Sequence, residues 1–296
     1  MKAEDLLSKK SLVCQYLSYR KHYLSSYSFV NLFAWVDFFD FEFREIDGNL
    51  CIFAQNNVGR FLYFPPLGKV VSLQAVKESF AFMKESRVAR IENVGEADLK
   101  NFPDTKYRRQ PKAYEYCYYK KDLVALKGNL FKSKRSSYNQ FVKNHKAKVV
   151  SYEPKMLADC LALYKTWKAN RTAKYKEEEI FCHMLEENER VHERILKHVR
   201  ELDLEARVVV VQNKIKAYSV GYALNDQTFC VLFEIADLLL TGLAVYIFRE
   251  FCADPKLKAY SFINVMDDFE MKQVAQTKLS YNPILLLPSY SVTPKT

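Results

Sequence analysis

The 296-residue chain is 49% hydrophobic, enough to bury the core of one large domain or of two ordinary ones. Its seven glycines and nine prolines exclude a low-complexity chain. The net charge of +10 is local: between Lys106 and Lys148 thirteen Lys and Arg face two acids, Glu115 and Asp122, and the remainder is nearly balanced. Such a segment fits an anionic partner, whether RNA, a phosphorylated cofactor or an anionic membrane surface, with a solvated basic face as the bland alternative.

The seven cysteines are odd in number and form no CxxC pair, which speaks against a disulfide framework or a zinc site. The first residues carry charges throughout and show no apolar core of a signal peptide. The longest uncharged apolar run, Leu238–Phe248, is too short to span a bilayer. A cytoplasmic protein without a transmembrane segment is the expectation.

In chain order, residues 1–25 read as a helix. Ser28–Phe39 is a second, aromatic helix capped by Ser26 or Ser28. Phe41–Ile46 and Leu50–Ala54 form a hairpin through Asp47-Gly48. Arg60–Phe64 is a strand ended by Pro65-Pro66. Ser72–Glu85 is a helix with Leu73, Val76, Phe80 and Met83 on one face. Arg87–Asn93 and Ala113–Tyr119 are strands. After the basic segment come a helix (Leu130–His145), a strand (Lys148–Tyr152) and two helices (Pro154–Lys168 and Glu177–Leu202). Lys216–Leu224 and Thr228–Ile235 are strands about the turn Asn225-Asp226-Gln227. The Thr241-Gly242 loop leads into an apolar helix, Leu243–Ala253. Lys258–Val265 is a strand, Asp267–Thr277 a helix, and Asn282–Val292 a final strand or hairpin. The expected architecture is α/β with mixed sheets, in two related domains, residues 1–122 and 123–296.

No GxSxG elbow, Walker loop or GxGxxG is present, which excludes the commonest serine hydrolases, P-loop enzymes and dinucleotide dehydrogenases. His183, His192 and His198 lack the i, i+3 or i+4 spacing of paired metal ligands, so they read as surface residues and no metal is expected. On the basic helix, Arg135, Asn139 and Lys143 recur on one face with Lys132 and Lys134 close by, a pattern able to hold phosphate or carboxylate. The free N–H groups of the helix that follows Thr241-Gly242 suit an anion. Glu234 and Asp237 end one strand; Asn264, Asp267 and Asp268 end the next. Carboxylates at neighbouring strand ends mark the usual crevice of an α/β sheet, although an aspartate there also caps the following helix. Glu234 is expected either to pair with Lys278 or Arg249 or to await a substrate cation.

Taken together, SFVNLFAWVDFF with YFPPLG, LKGNLFKSKRSSYNQFVKNH, VLFEIADLLLTG, the late Asn264…Asp268 and TKLSYNP resemble the phosphatidylglycerol lysyltransferase C-terminal-domain family, over about residues 25–293. The resemblance implies two tandem acetyltransferase-like (GNAT) domains and kinship with the Fem aminoacyl-tRNA-dependent transferases. It carries over to Lys134, Arg135 and Asn139 of the basic helix, to Phe233, Glu234, Ala236 and Asp237, to Gly242, to Asn264 and Asp268, and to Lys278, Leu279, Ser280, Tyr281 and Pro283. Two departures stand out: Val265, Met266 and Asp267 replace the charged or amide residues common in relatives, and the loop at Gly242 is poor in glycine. The implied activity is acyl or aminoacyl transfer to an amine or hydroxyl. Lys278 or Tyr281 would donate to developing charge, Glu234 or Asp237 would bind an ammonium or take a proton, and the basic segment would grip tRNA phosphates or a nucleotide. Two alternatives remain: an acetyl-CoA-dependent N-acetyltransferase with Thr241-Gly242 at the pyrophosphate, and a non-catalytic module binding RNA or a membrane surface. No covalently bound cofactor is expected, and the oligomeric state is left open.

Overall fold

The computed structural model describes residues 2–295. They form two compact units. The first holds residues up to Tyr116 together with 266–275 and 285 onward; the second holds Cys117–Val265 and 276–284. The boundary expected at 122/123 therefore falls six residues earlier, and the second domain does not run to the C-terminus. The reason is long-range strand pairing. The last strand, β11 (Leu285–Pro294), returns to the first unit and pairs antiparallel with β4 (Ile91–Gly95), Tyr290 opposite Val94 and Val292 opposite Ile91. A contact across two hundred residues leaves no trace in local pattern.

The first unit opens with helices α1 (Ala3–Leu7), α2 (Lys10–Ser18) and α3 (Phe29–Ala34). The Ser28 hydroxyl caps α3 by accepting the Asn31 N–H at 3.1 Å. The expected hairpin is β1 (Asp40–Ile46) and β2 (Asn49–Gln55), followed by β3 (Arg60–Leu62) antiparallel to β2 and parallel to β4. Helix α4 (Leu73–Phe82), capped by Ser72, packs Val76 into a core of Phe53, Leu62, Ile91, Val94 and Phe102. Strand β5 (Tyr107–Tyr119) gives its last three residues to the second unit.

In the second unit, α5 (Lys120–Ala125), α6 (Lys132–Asn144) and β6 (Ala147–Ser151) precede two long helices, α7 (Leu157–Lys174) and α8 (Glu179–Lys197). Strands β7 (Glu205–Val211), β8 (Lys214–Ala223) and β9 (Thr228–Ala236) then form a meander, α9 (Leu243–Cys252) follows, and β10 (Phe262–Asn264) pairs parallel to β9. The last helix is α10 (Lys272–Leu279). It starts five residues later than expected, because Met266, Phe269 and Glu270 take positive φ, which an α-helix cannot accommodate.

The sheet of this unit is covered on both faces. On one, Phe141 of α6 and Leu243 and Ile247 of α9 pack on Val209, Val211, Ala217 and Ala236. On the other lie α7 and α8. There His192, expected at the surface, is 5% exposed. Its ring stacks on Phe233 at 3.8 Å, and its Nδ1 lies 2.9 Å from the Tyr218 hydroxyl. Burial pushes its pKa down to about 3, so the ring is neutral. Its spacing from Leu185, Ile195 and Leu196, all buried, is that of the inward face of α8 and was the available signal.

Candidate functional site

Glu234 owes its position to a β-bulge. Val220 of β8 lies opposite Phe233, but Gly221 lies opposite Val231, so Leu232 is an extra residue on β9. Before the bulge, Phe229 points to α9, its ring 5.7 Å from that of Phe251. After it, Phe233 faces α8, and Glu234 and Ala236 face α9. An unbroken strand would put Glu234 on the other face, because side chains alternate. Gly221 makes the bulge possible: a Cβ there would stand 2.4 Å from both the Cys230 carbonyl oxygen and the Phe229 ring.

β10 is short. Its ladder with β9 ends where Asn264 meets Cys230, whereas β9 continues to Ala236. Among the described residues no strand pairs with that edge of Val231–Ala236, so the sheet opens beside Glu234. Asn264, fully buried, closes the ladder.

The Glu234 Oε2 is enclosed and has no hydrogen-bond partner among the described residues. Burial pushes its carboxyl pKa up to about 8, so the group is mostly protonated at neutral pH. Neither expected ion-pair partner reaches it. The Lys278 ammonium donates to the Val265 carbonyl at 2.7 Å, and Arg249 pairs with Glu250 at 2.5 Å.

Tyr281 stands nearby. It is 9% exposed and packs edge-on against Phe248 at 4.9 Å. Burial first, and then the Glu234 charge, raise its hydroxyl pKa well above the ordinary value. The Lys134 ammonium sits 3.9 Å from the centre of the Tyr281 ring, a cation–π contact, and burial lowers its pKa. Cys252, on α9, is also buried and feels the Glu234 charge; both effects raise its thiol pKa, so it is no ready nucleophile. The structure thus gathers Glu234, Tyr281 and Lys134. The sequence named all three but placed Lys134 with a phosphate, because nothing local links α6 to the turn after α10.

The remaining expected residues lie elsewhere or do other work. Asp237 pairs with Lys216 at 2.7 Å and accepts the Leu239 N–H at 3.0 Å. Burial opposes its ionisation, but these contacts outweigh it and lower its pKa. Its contribution to stability is therefore present above the ordinary aspartate pKa and lost as pH falls through the lowered one. Asp237→Asn is expected to cost about 1 kcal/mol at neutral pH and nothing in strong acid, with ligand binding unchanged; melting curves at the two pH values check this. Arg135 donates to the carbonyls of Leu126 and Gly128 and so fastens the loop before α6. Lys132 and Asn139 are exposed on the outer face of that helix, and Thr241 is exposed in its loop. Gly242 packs against α6: a Cβ would meet the Ser137 carbonyl oxygen at 2.2 Å, which accounts for the glycine by packing. Asp268 belongs to the first unit, where it accepts the Tyr116 hydroxyl and the Glu270 N–H. Among the described residues no cluster of His, Cys, Asp or Glu is arranged to hold a metal, and no helix is long and apolar enough to cross a membrane.

The chain is similar to several solved structures. A conserved protein of unknown function from Bacteroides thetaiotaomicron is 24% identical, with 98% of this chain and 97% of that one covered at a TM-score of 0.84. The C-terminal domain of a putative lysylphosphatidylglycerol synthetase from Agrobacterium fabrum is 11% identical, covering 98% and 92% at a TM-score of 0.67. The L-PGS of Bacillus licheniformis is 14% identical, covering 95% and 90% at 0.67. These likenesses show a shared fold. No curated protein matches the chain. The sequence profile described as phosphatidylglycerol lysyltransferase, C-terminal, matches residues 18–293, and the chain belongs to that family of transferases.

Proposed function

We propose that the protein is an aminoacyltransferase that moves an aminoacyl group from aminoacyl-tRNA to an amine or hydroxyl acceptor, with its reaction centre at Glu234 in the second unit. One observation carries this reading: an enclosed carboxyl, without a partner for Oε2, at the open edge of a bulged strand. A carboxylic acid with a pKa near 8 can both give and take a proton at neutral pH. The acceptor's oxygen or nitrogen forms a bond to the ester carbonyl carbon while the bond from that carbon to the ribose oxygen breaks. The leaving ribose oxygen takes the Glu234 proton, and the acceptor's proton passes to the other carboxyl oxygen, so Glu234 ends as it began. Tyr281, with Lys134 over its ring, supplies the polar groups beside the developing oxyanion.

Native mass spectrometry of the purified chain with aminoacyl-tRNA or acetyl-CoA tests the donor. The expected result is a complex with aminoacyl-tRNA and release of free tRNA when an acceptor is added. A complex with acetyl-CoA alone would replace the donor, and binding of neither would count against transfer.

A further inference from the structure

The positive charge of the basic segment is sorted by the fold into two kinds. Arg109 donates to the carbonyls of Phe102 and Leu99, Lys112 pairs with Glu92, Lys120 donates to the Leu257 carbonyl, and Lys134 and Arg135 turn inward as described. These hold the fold together. The others in the second unit stand in water.

Helix α6 shows the second kind. Lys132, Ser136, Asn139, Gln140 and Lys143 are exposed at the spacing of one helical face, and Lys146 follows. Lys127 precedes the helix and is exposed too. Between residues 123 and 152 there is no Asp or Glu. The acids packed nearby are already neutralised: Glu250 by Arg249 and the Tyr138 hydroxyl, Asp237 by Lys216. Large aliphatic side chains stand out among these lysines. Leu130, just before α6, is 71% exposed, and Val142, on it, 48%. Leu239 is 84% exposed in the loop after β9, which is tied to α6 by the Gly242–Ser137 approach and by Leu240 in the Phe141 cluster.

We infer that this surface, α6 with Leu130 and Leu239, docks the second unit on an anionic lipid bilayer. Lysines keep their ammonium groups at the level of phosphate headgroups while neighbouring leucines enter the acyl boundary, where each removes apolar area from water. Nucleic acid fits the same surface less well. Proteins that hold RNA stack bases on aromatic rings or on guanidinium planes. Here the outward cations are lysines, and the one arginine of α6 points at backbone carbonyls. The aromatic rings here pack on one another: Tyr138 and Tyr246, both half-buried, stack at 5.6 Å, and the buried Phe141 lies tilted against Tyr246 at 4.7 Å. Docking does not rest on the chemistry at Glu234, and its test reads binding without turnover.

Co-sedimentation of the full chain with vesicles tests the inference. The protein is expected to sediment with vesicles of equimolar phosphatidylcholine and phosphatidylglycerol, to stay in solution with phosphatidylcholine alone, and to be released by salt. Changing Lys127, Lys132, Lys143 and Lys146 together to Gln should weaken binding at least ~tenfold. Leu130→Ser with Leu239→Ser, which leaves the charge untouched, should weaken it by about tenfold as well. All six side chains are exposed, so both variants should melt as the unaltered protein does. No sedimentation with the anionic vesicles, or leucine variants that bind as well as the unaltered chain, would overturn the inference. So would a surface that binds polyuridylate but not vesicles.

Discussion

Glu234→Gln is expected to abolish transfer while leaving the fold standing. Glutamine has the shape of the protonated acid that occupies the site at neutral pH, so the core beside α9 need not rearrange. It has no carboxyl proton to give to the leaving oxygen, and loss of such a group costs roughly 100- to 10,000-fold in rate. Stability should change with pH in the opposite sense to that of a paired carboxylate. The folded-state pKa of Glu234 is raised from an ordinary 4.5 to about 8. Its stabilising contribution is therefore complete below the ordinary value, declines as pH rises between the two, and is gone above about 8. Ionising the enclosed group costs on the order of 4 kcal/mol over that window. The Gln variant lacks this slope, so it should gain on the unaltered protein as pH rises from 5 to 8. Paired melting curves across that range, with single-turnover transfer assays at neutral pH, read both effects. A variant that turns over normally would remove Glu234 from the reaction.

Gly242→Ala is expected to be the most destabilising single-methyl change near the site. Gly242 has φ +86°, in the left-handed region, and the added methyl would stand 2.2 Å from the Ser137 carbonyl oxygen. Left-handed backbone costs a non-glycine residue about 1 kcal/mol, and overpacking a close contact adds roughly 1–3 kcal/mol. A drop of several degrees in melting temperature should follow, with α6 and α9 forced apart. Thr241→Ala, one residue earlier and exposed, serves as the contrast and should melt normally. If Gly242→Ala melts normally but loses an anionic ligand, the glycine serves a phosphate rather than helix packing.

Much of the fold was legible where the signal was local. Ser28 announced its helix by capping, Asp47-Gly48 the first hairpin, and the apolar run from Leu243 a buried helix. What the sequence hid was produced by pairing at a distance. The return of β11 to β4 redrew the domain boundary. The bulge at Leu232 decided which face Glu234 would take; its one mark in the sequence, Gly221 inside a strand, does not say which strand carries the extra residue. Glu234 itself was legible as a carboxylate at the end of an apolar strand. Its lack of a partner was not, because Lys278 and Arg249 were equally good candidates by charge and are diverted by geometry to Val265 and Glu250. The basic segment was visible as a charge run, but only burial separated the cations that fasten backbone from those that face outward.

The measurement closest to the centre of this account is the titration of Glu234 in the intact protein. With glutamate carboxyl groups labelled by carbon-13, the resonance that disappears in Glu234→Gln identifies the group. The account predicts a midpoint near 8, far from the values of exposed glutamates. A midpoint near 4.5 would mean a solvated or paired carboxylate, and Glu234 could not then be the proton-carrying acid of the reaction.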